Sequence, residues 1–235
     1  MRLDRYLVDN GFVESRTKAQ TLIKNGLVSV NAKVVKKSSY TLENDDKVDV
    51  EAHKEYVSRS AKKLAYFLDE LQLNIEESIA LDIGSSTGGF TQVLLENGVK
   101  EVTAVDVGRD QLHHSLKNDT RVHSFESCDI RKFESEKTFD VVVSDVSFIS
   151  LHHILSDVQR LAKEKIILLF KPQFEVGKDV KRDKNGVVTD TKAIENAMKN
   201  FEDATRKLGW KLLVKSPSKL TGKEGNLEYC YYFNK

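Results

Sequence analysis

Near-continuous runs of Val, Ile and Leu constrain this chain most, because they recur with helix-like segments between them. The runs are IALDI (79–83), VTAVD (102–106), FDVVVSD (139–145) and KIILLF (165–170). Strands of this composition are buried on both faces, as in a parallel sheet covered by helices. Apolar spacing predicts the intervening helices at 91–96, around 111–116, at 150–161 and at 190–208. The predicted class is α/β with a mostly parallel sheet.

The segments on either side of these runs complete the predicted domain. Before them, apolar residues at i, i+3, i+4 and i+7 predict an amphipathic helix: Leu64, Phe67, Leu68 and Leu71. After them, WKLLV (210–214) and LEYCYYF (227–233) follow one another without a helix between them. Two strands joined in this way pair antiparallel. We therefore predict a Rossmann-like domain at 60–235 whose last strand is antiparallel.

The pattern of residues 1–52 predicts a separate, small α+β domain, which a linker at 53–59 joins to the rest of the chain. A first helix ends at Gly11, and a second begins at Ser15 as N-cap and ends at Gly26. Alternating valines at 28–34 and 48–50 predict short strands, with a tight turn at Asn31. A unit of this size is too small to enclose a deep active site.

Charge is unevenly distributed along the chain. The net charge is only +1, but residues 1–37 carry eight Lys and Arg against three Asp and Glu. Such asymmetry is typical of a surface that binds a polyanion, although a solvated helix face accounts for it equally well. Arg16 and Lys18 lie at the start of the second helix, where free backbone N–H groups also favour phosphates.

Several classes of protein are disfavoured by composition. Cys128 and Cys230 are far apart and no Cys-x-x-Cys occurs, which argues against a disulfide framework and a structural zinc site. The two pairs of histidines are adjacent in sequence and face different ways on a helix, so we expect no metal. No run approaches the roughly 18 apolar residues of a membrane span. We expect a cytoplasmic protein that does not bind a membrane.

A glycine-rich loop, GSSTGGF (84–90), lies between the first sheet strand and its helix. Asp106 ends the next strand, 22 residues after Gly84, where an acidic residue accepts hydrogen bonds from ribose hydroxyls. A tight turn alone would also explain the glycines. A dinucleotide is a rival ligand, but the middle glycine of its Gly-x-Gly-x-x-Gly signature is missing. Since Asp82 suits the amino group of a methionine tail, S-adenosylmethionine is favoured.

The ordered set of motifs resembles the TlyA family of ribosomal-RNA methyltransferases. The similar phrases are LDIGSSTGGFTQVLLENG, SDVSFISL (144–151) and KPQFEVGK (171–178), with RLDRYLVDNG and SRTKAQTLIKNGLVSVN in the first domain. That family joins an S-four-type (αL-motif) RNA-binding domain to a class I methyltransferase domain related to FtsJ/RrmJ. The resemblance covers essentially the whole chain and is to the short form of the family.

The resemblance implies 2′-O-methylation of cytidine in ribosomal RNA with four catalytic residues: Lys63, Asp145, Lys171 and Glu228. We expect S-adenosylmethionine to contact Asp82, Gly84, Ser85, Ser86, Thr87, Gly88, Gly89, Phe90, Asp106, Asp129, Ile130 and Asp145. We expect RNA to contact Arg2, Arg5, Arg16, Lys18, Arg59, Lys62, Lys178, Lys181 and Arg182. The partner is ribosomal RNA or a ribosomal subunit, and we expect the protein to be a monomer.

The chemistry accounts for the four charged residues. A ribose hydroxyl must lose its proton to attack, and a lysine accepts it only if burial and a second cation lower its pKa. Each of the four has an ordinary structural explanation by itself, and their placement at one sheet edge favours a site. A non-catalytic RNA-binding or ribosome-assembly factor is the alternative. An oxidoreductase is a weaker one, because the glycine signature is incomplete.

Overall fold

A computed structural model of the chain describes residues 1–51 and 56–235. These fall into two compact units, Met1–Glu55 and Tyr56–Lys235. The predicted linker at 53–59 lies partly outside the described residues, and its last residue, Arg59, already begins a helix. The domain bounds 1–52 and 60–235 therefore stay a prediction.

The first unit packs two helices on a three-stranded antiparallel sheet of order β2-β1-β3. Its elements are α1 (Leu3–Asp9), α2 (Arg16–Lys24), β1 (Val28–Val30), β2 (Lys33–Val34) and β3 (Val48–Val50). The Ser15 side chain accepts a hydrogen bond from the Lys18 N–H at 3.3 Å, as expected for the N-cap of α2. Asn31 and Ala32 have φ of 51° and 63°, which makes the predicted turn between β1 and β2 a two-residue hairpin loop.

A buried carboxylate joins the two helices of the first unit. The Asp4 side chain is fully buried and accepts hydrogen bonds from Arg2 Nη2 at 2.9 Å and Arg16 Nε at 3.0 Å. Gln20 Nε2 donates to the same carboxylate at 3.2 Å. These donors, led by Arg2, hold the pKa of Asp4 well below its usual range. Two of the arginines expected to contact RNA therefore bind Asp4, and one of them, Arg16, connects α2 with α1.

We predict that Asp4→Asn destabilises the packing of α1 on α2 by roughly 2 kcal/mol at pH 7, since hydrogen bonds to a charged group are lost. Because the pKa of Asp4 is lower in the folded state, this stabilisation is present above about pH 4 and is lost as the pH falls below that value. Hydrogen exchange of α2 amides in the full chain measures the difference. A difference between variant and wild type that stays constant from pH 7 to pH 3 would contradict the assignment.

The second unit is a seven-stranded sheet with helices on both faces. Its strands are β4 (Ile79–Ile83), β5 (Glu101–Val105), β6 (Val122–Phe125), β7 (Phe139–Ser144), β8 (Ala162–Phe170), β9 (Lys211–Pro217) and β10 (Tyr229–Asn234). Its helices are α3 (Arg59–Leu71), α4 (Gly89–Glu96), α5 (His114–Lys117), α6 (Leu155–Leu161), α7 (Pro172–Glu175) and α8 (Thr191–Lys207). The strand order is β6-β5-β4-β7-β8-β10-β9, with β10 antiparallel to both of its neighbours. The predicted fold class is confirmed.

Alternation along each strand builds a core on each face of this sheet. Leu81, Val142 and Leu168 point to the face covered by α6 and α8. Their neighbours Ala80, Val143 and Ile167 point to the face covered by α3 and α4. Burial on both faces explains why the central strands are mostly apolar.

Three elements differ from the prediction. The helix expected around 111–116 is only α5, because the Glu126 carboxylate binds the N–H groups of the preceding turn at 110–112. The helix expected at 150–161 divides into a 3₁₀ turn, Leu151–His153, followed by α6. Strand β6 was not predicted, because it is a largely exposed edge strand whose sequence, VHSF, lacks an apolar run.

The carboxyl ends of the parallel strands meet at one edge of the sheet. Gly84, Asp106, Asp145 and Lys171 directly follow β4, β5, β7 and β8. The connections reverse direction between β4 and β7, and a crevice at such a point is where open α/β sheets bind ligands. Within 1–51 and 56–235, no helix has the length and apolar character needed to cross a membrane.

Candidate active site

The loop after β4 uses its glycines for turns and for close packing. Gly84 and Gly88 have φ of 78° and 93°, a region that suits glycine. A Cβ on Gly89 would lie 2.1 Å from Ser58 Oγ and 2.9 Å from the Ala61 backbone nitrogen. The start of α3 therefore packs directly on the loop, which brings Lys63 towards it.

Asp106 shapes the same loop from the next strand. Its two carboxylate oxygens accept hydrogen bonds from Ser86 N–H at 2.8 Å and Gly108 N–H at 2.6 Å. It borders a cavity of about 520 Å³ together with the apolar side chains of Val107 and Ile130. Asp129 borders this cavity too, and its carboxylate is paired with Arg131, which holds the pKa of Asp129 at about 2.

A second cavity of about 410 Å³ adjoins the first. It is lined by Lys63 and Lys223 and by the hydroxyl groups of Ser85, Ser86 and Thr87. Gly84, Ser86, Asp145 and Ser147 line both cavities. The Asp145 side chain therefore lies where the two cavities meet.

Two largely buried ion pairs lie beside this junction. Lys171 Nζ is 2.6 Å from Asp145 Oδ1, 3.2 Å from the Asp145 carbonyl oxygen and 2.8 Å from Ser147 Oγ. Lys63 Nζ is 2.5 Å from Glu228 Oε2, whose partner oxygen accepts from Gln173 Nε2 at 3.1 Å. The side chains of Lys171 and Lys63 are only 8% and 9% exposed. Each lysine thus has its own carboxylate, and the four charges sum to zero.

The four charged residues also act on one another electrostatically. Burial raises the pKa of Asp145, and the charges of Lys171 and then Lys63 oppose that rise. Glu228 acts in the same direction as burial. The four residues expected to be catalytic are therefore close enough in space to form one electrostatic unit.

Asp82 lies beneath the loop. Its side chain is completely buried, accepts a hydrogen bond from Thr91 Oγ1 at 2.7 Å, and lines neither cavity. Burial raises the pKa of Asp82 to about 7. Its Oδ1 atom has no hydrogen-bond partner among residues 1–51 and 56–235. Because the side chain is buried and borders neither cavity, the structure does not bring Asp82 to the cofactor contact expected of it.

The residues expected to contact RNA differ in how their charges are used. Arg59 lines the 410 Å³ cavity and donates to the Thr221 carbonyl oxygen at 2.9 Å. In the first unit, Arg5 pairs with Asp9 and Lys18 with Glu14. Lys178 and Lys181 are exposed, and Lys62 is half-buried.

Arg182 is engaged by its own loop. Its guanidinium donates to four carbonyl oxygens: those of Gln173, Gly177, Lys178 and Val180. These bonds use four of its five N–H donors. The geometry therefore supports a role in shaping the loop, and leaves little of the side chain for phosphate.

Sequence reasoning missed several residues of the site. Ser147 and Gln173 orient the ion pairs, and both fall within motif phrases, SDVSF and KPQFE, that were noted for other residues. Lys223, whose basic segment between β9 and β10 was expected to lie at the functional edge of the sheet, lines the 410 Å³ cavity. No group of three His, Cys, Asp or Glu side chains in the described part of the chain is arranged to hold a metal ion.

Comparisons with known proteins match both units. The S4 domain family matches residues 1–48, and the FtsJ-like methyltransferase family matches residues 56–235. The 23S rRNA (cytidine-2′-O)-methyltransferase TlyA of Campylobacter jejuni is 46% identical over the whole of both chains. The 16S/23S rRNA (cytidine-2′-O)-methyltransferase TlyA of Mycobacterium tuberculosis is 36% identical, over 97% of this chain and 87% of that one.

Solved structures agree with this match. A Streptococcus thermophilus protein provisionally called a hemolysin aligns over all of this chain and 88% of its own, with a TM-score of 0.73 and 33% identity. An S-adenosylmethionine-dependent methyltransferase from Mesorhizobium loti aligns with 76% of this chain and all of its own, with a TM-score of 0.54. At 11% identity, this second likeness shows the fold alone.

Proposed function

Because this chain belongs to the TlyA family, with an FtsJ-like methyltransferase domain at 56–235, we propose that it methylates the 2′-hydroxyl of cytidine in ribosomal RNA. The observation that carries the proposal is the pair of buried ion pairs, Lys171–Asp145 and Lys63–Glu228, beside the junction of two cavities. Buried charges are costly to maintain, and a set of four at the ligand-binding edge is typical of a reaction site.

The residues around the cavities fit S-adenosylmethionine. Asp106, Val107 and Ile130 offer a carboxylate for ribose hydroxyls and apolar contact for a base. The loop residues Gly84, Ser85 and Ser86, which line the cavities, suit the polar methionine end. When bound, S-adenosylmethionine would supply a methyl group on a positively charged sulfur. The hydroxyl oxygen would bond to the methyl carbon in line with the breaking carbon–sulfur bond, and the sulfur would leave as a neutral thioether.

The lysines act on the attacking hydroxyl. Two ammonium groups stabilise the negative charge that develops on the ribose oxygen as its proton leaves. Asp145 Oδ1 lies 2.6 Å from Lys171 Nζ and holds this nitrogen in place. Lys171 Nζ, as the free amine, accepts the hydroxyl proton, and Asp145 balances the positive charge that results. Lys63, held by Glu228, supplies the second positive charge.

RNA is held in part by the first unit. We propose that 1–52 is an RNA-binding domain of the S4 type and that 60–235 performs the transfer in the cytoplasm, where ribosomal RNA is found. One chain supplies all four charged residues, so a monomer suffices. A non-catalytic assembly factor is not favoured, because the set of charged residues is complete and its two pairs are formed.

Transfer of a labelled methyl group tests the proposal. Purified protein is incubated with labelled S-adenosylmethionine and ribosomal RNA or ribosomal subunits, and nuclease digestion with mass spectrometry then locates the label. The expected product is a cytidine that carries the methyl group on its ribose. A methyl group on a base atom would overturn the mechanism, and the absence of transfer to any ribosomal substrate would overturn the function.

We predict that Asp106→Ala weakens S-adenosylmethionine binding about 10- to 100-fold. The variant loses the proposed ribose contacts and leaves two loop N–H groups, those of Ser86 and Gly108, without their acceptor. Calorimetry measures the affinity. Asp140→Ala is the matched control, since Asp140 also accepts a backbone N–H, that of Ile79, but at the opposite sheet edge. Equal affinities of the Asp106→Ala variant and the wild type would remove Asp106 from the cofactor site.

A further inference from the structure

Two neighbouring segments of the site run alongside each other and are joined at both ends. The first follows β7 and comprises 145–151, and the second follows β8 and comprises 171–175. At one end, Lys171 holds the first segment through the side chain and carbonyl group of Asp145 and through Ser147. This end contains the proposed reaction centre.

At the other end, Glu175 holds the same segment. Its Oε2 atom accepts a hydrogen bond from Ser150 Oγ at 2.5 Å, and its Oε1 atom accepts from the Leu151 N–H at 2.8 Å. The side chain is half-buried. Burial raises the pKa of Glu175, and the two hydrogen bonds oppose the rise. This carboxylate thus has bonds from two adjacent residues and none of the four proposed catalytic residues as a partner.

Between the two ends, the segments touch through aromatic rings. The ring centroids of Phe148 and Phe174 are 5.3 Å apart. Phe148 has a φ of 65°, an unfavourable conformation for a bulky residue that persists only where the surroundings impose it. A segment held in a strained conformation needs firm anchors on both sides. Lys171 and Glu175 lie at those two positions.

We propose that Glu175 is a positioning residue for methyl transfer. It anchors the far end of 145–151, and thereby keeps Asp145 and Ser147 where they orient the amine of Lys171. This inference rests on the proposed function, because it assigns Glu175 an effect on the reaction through Lys171. A displacement of about 1 Å at a reacting group lowers a rate by roughly 100-fold. Loss of the anchor is therefore expected to act on turnover more than on cofactor binding.

The test compares Glu175→Ala with Glu175→Gln. An amide preserves both contacts, since its oxygen accepts from the Leu151 N–H and its nitrogen donates to Ser150 Oγ. We expect Glu175→Ala to lower the single-turnover rate about 10- to 100-fold at saturating S-adenosylmethionine, with cofactor affinity within about threefold of wild type. Glu175→Gln should recover most of the rate. Glu101→Ala is the matched control, because the Glu101 carboxylate also binds two residues, Lys137 and His123, but at the start of β5.

The outcomes separate positioning from general stability. An unchanged rate in Glu175→Ala would overturn the proposal, as would a loss matched by equal losses of cofactor affinity or of folded protein. A Glu175→Gln variant as slow as Glu175→Ala would also overturn it. Hydrogen exchange of the Leu151 amide reports on the anchor without activity: protection in wild type and its loss in Glu175→Ala is expected. If the amide result holds while wild type transfers no methyl group, the proposed function fails and the anchor itself stands.

Discussion

Lys171→Ala is expected to lower methyl transfer by about 1,000-fold, because the variant loses both the proton acceptor and a positive charge beside the developing alkoxide. It also leaves Asp145, whose pKa burial already raises, without the nearest opposing charge. Single-turnover assays with labelled S-adenosylmethionine measure the loss. Lys171 lines neither cavity, so cofactor affinity should change little.

Lys171→Arg separates the two roles of this residue. A guanidinium keeps the positive charge but does not release a proton near neutral pH, so it cannot accept one. If Lys171 accepts the hydroxyl proton, this variant is nearly as slow as Lys171→Ala. Lys165→Ala serves as the control. Lys165 lies in β8, the strand that Lys171 follows, and among the described residues it forms an ion pair only with its neighbour Glu164. A Lys171→Arg variant with more than half of the wild-type rate would restrict Lys171 to charge stabilisation.

Glu228→Leu is expected to destabilise the protein by about 3 kcal/mol and to abolish transfer. The variant leaves the ammonium group of Lys63 buried without its carboxylate, and an unpaired buried charge is far more costly than a neutral pair of residues. Thermal or denaturant unfolding measures the stability, and the transfer assay measures the activity.

The double variant Lys63→Met/Glu228→Leu distinguishes stability from chemistry. Removing both charges should recover most of the lost stability, because apolar side chains of similar volume replace a buried ion pair at little cost. Activity should remain absent, since the second positive charge of the proposed mechanism is missing. An active double variant would show that Lys63 and Glu228 serve the fold alone. A Glu228→Leu variant as stable as wild type would show that water reaches Lys63 readily.

The sheet was predictable from sequence because its central strands are buried on both faces. Leu81 and Ala80 contact opposite cores, and this double burial is what the apolar runs encode. Strand β6 escaped prediction for the opposite reason, since an exposed edge strand needs no apolar run. The turn at 110–112 escaped because its N–H groups bind Glu126, a residue more than a dozen positions away.

The proximity of the four charged residues was predictable from sequence, but their pairing was not. Strand ends place Asp145 and Lys171 at one edge, and the family resemblance implies Lys63 and Glu228. The sequence indicated a second cation near the accepting lysine, but not which carboxylate each lysine binds. The structure pairs each lysine with its own carboxylate, since pairing depends on side-chain packing in three dimensions. The use of Arg182 by its own loop has the same origin, because backbone carbonyl groups leave no trace in a sequence.

The Lys63–Glu228 pair spans 165 positions, from the first helix of the second unit to the residue that directly precedes its last strand. During synthesis on the ribosome, Lys63 is made long before Glu228. The ion pair forms only after β10 has been synthesised and inserted between β8 and β9. Folding intermediates without β10 therefore have an incomplete set of charges and cannot perform the proposed chemistry. The proposed reaction therefore requires a complete sheet, and a chain that is still being synthesised is not expected to methylate the ribosome that makes it.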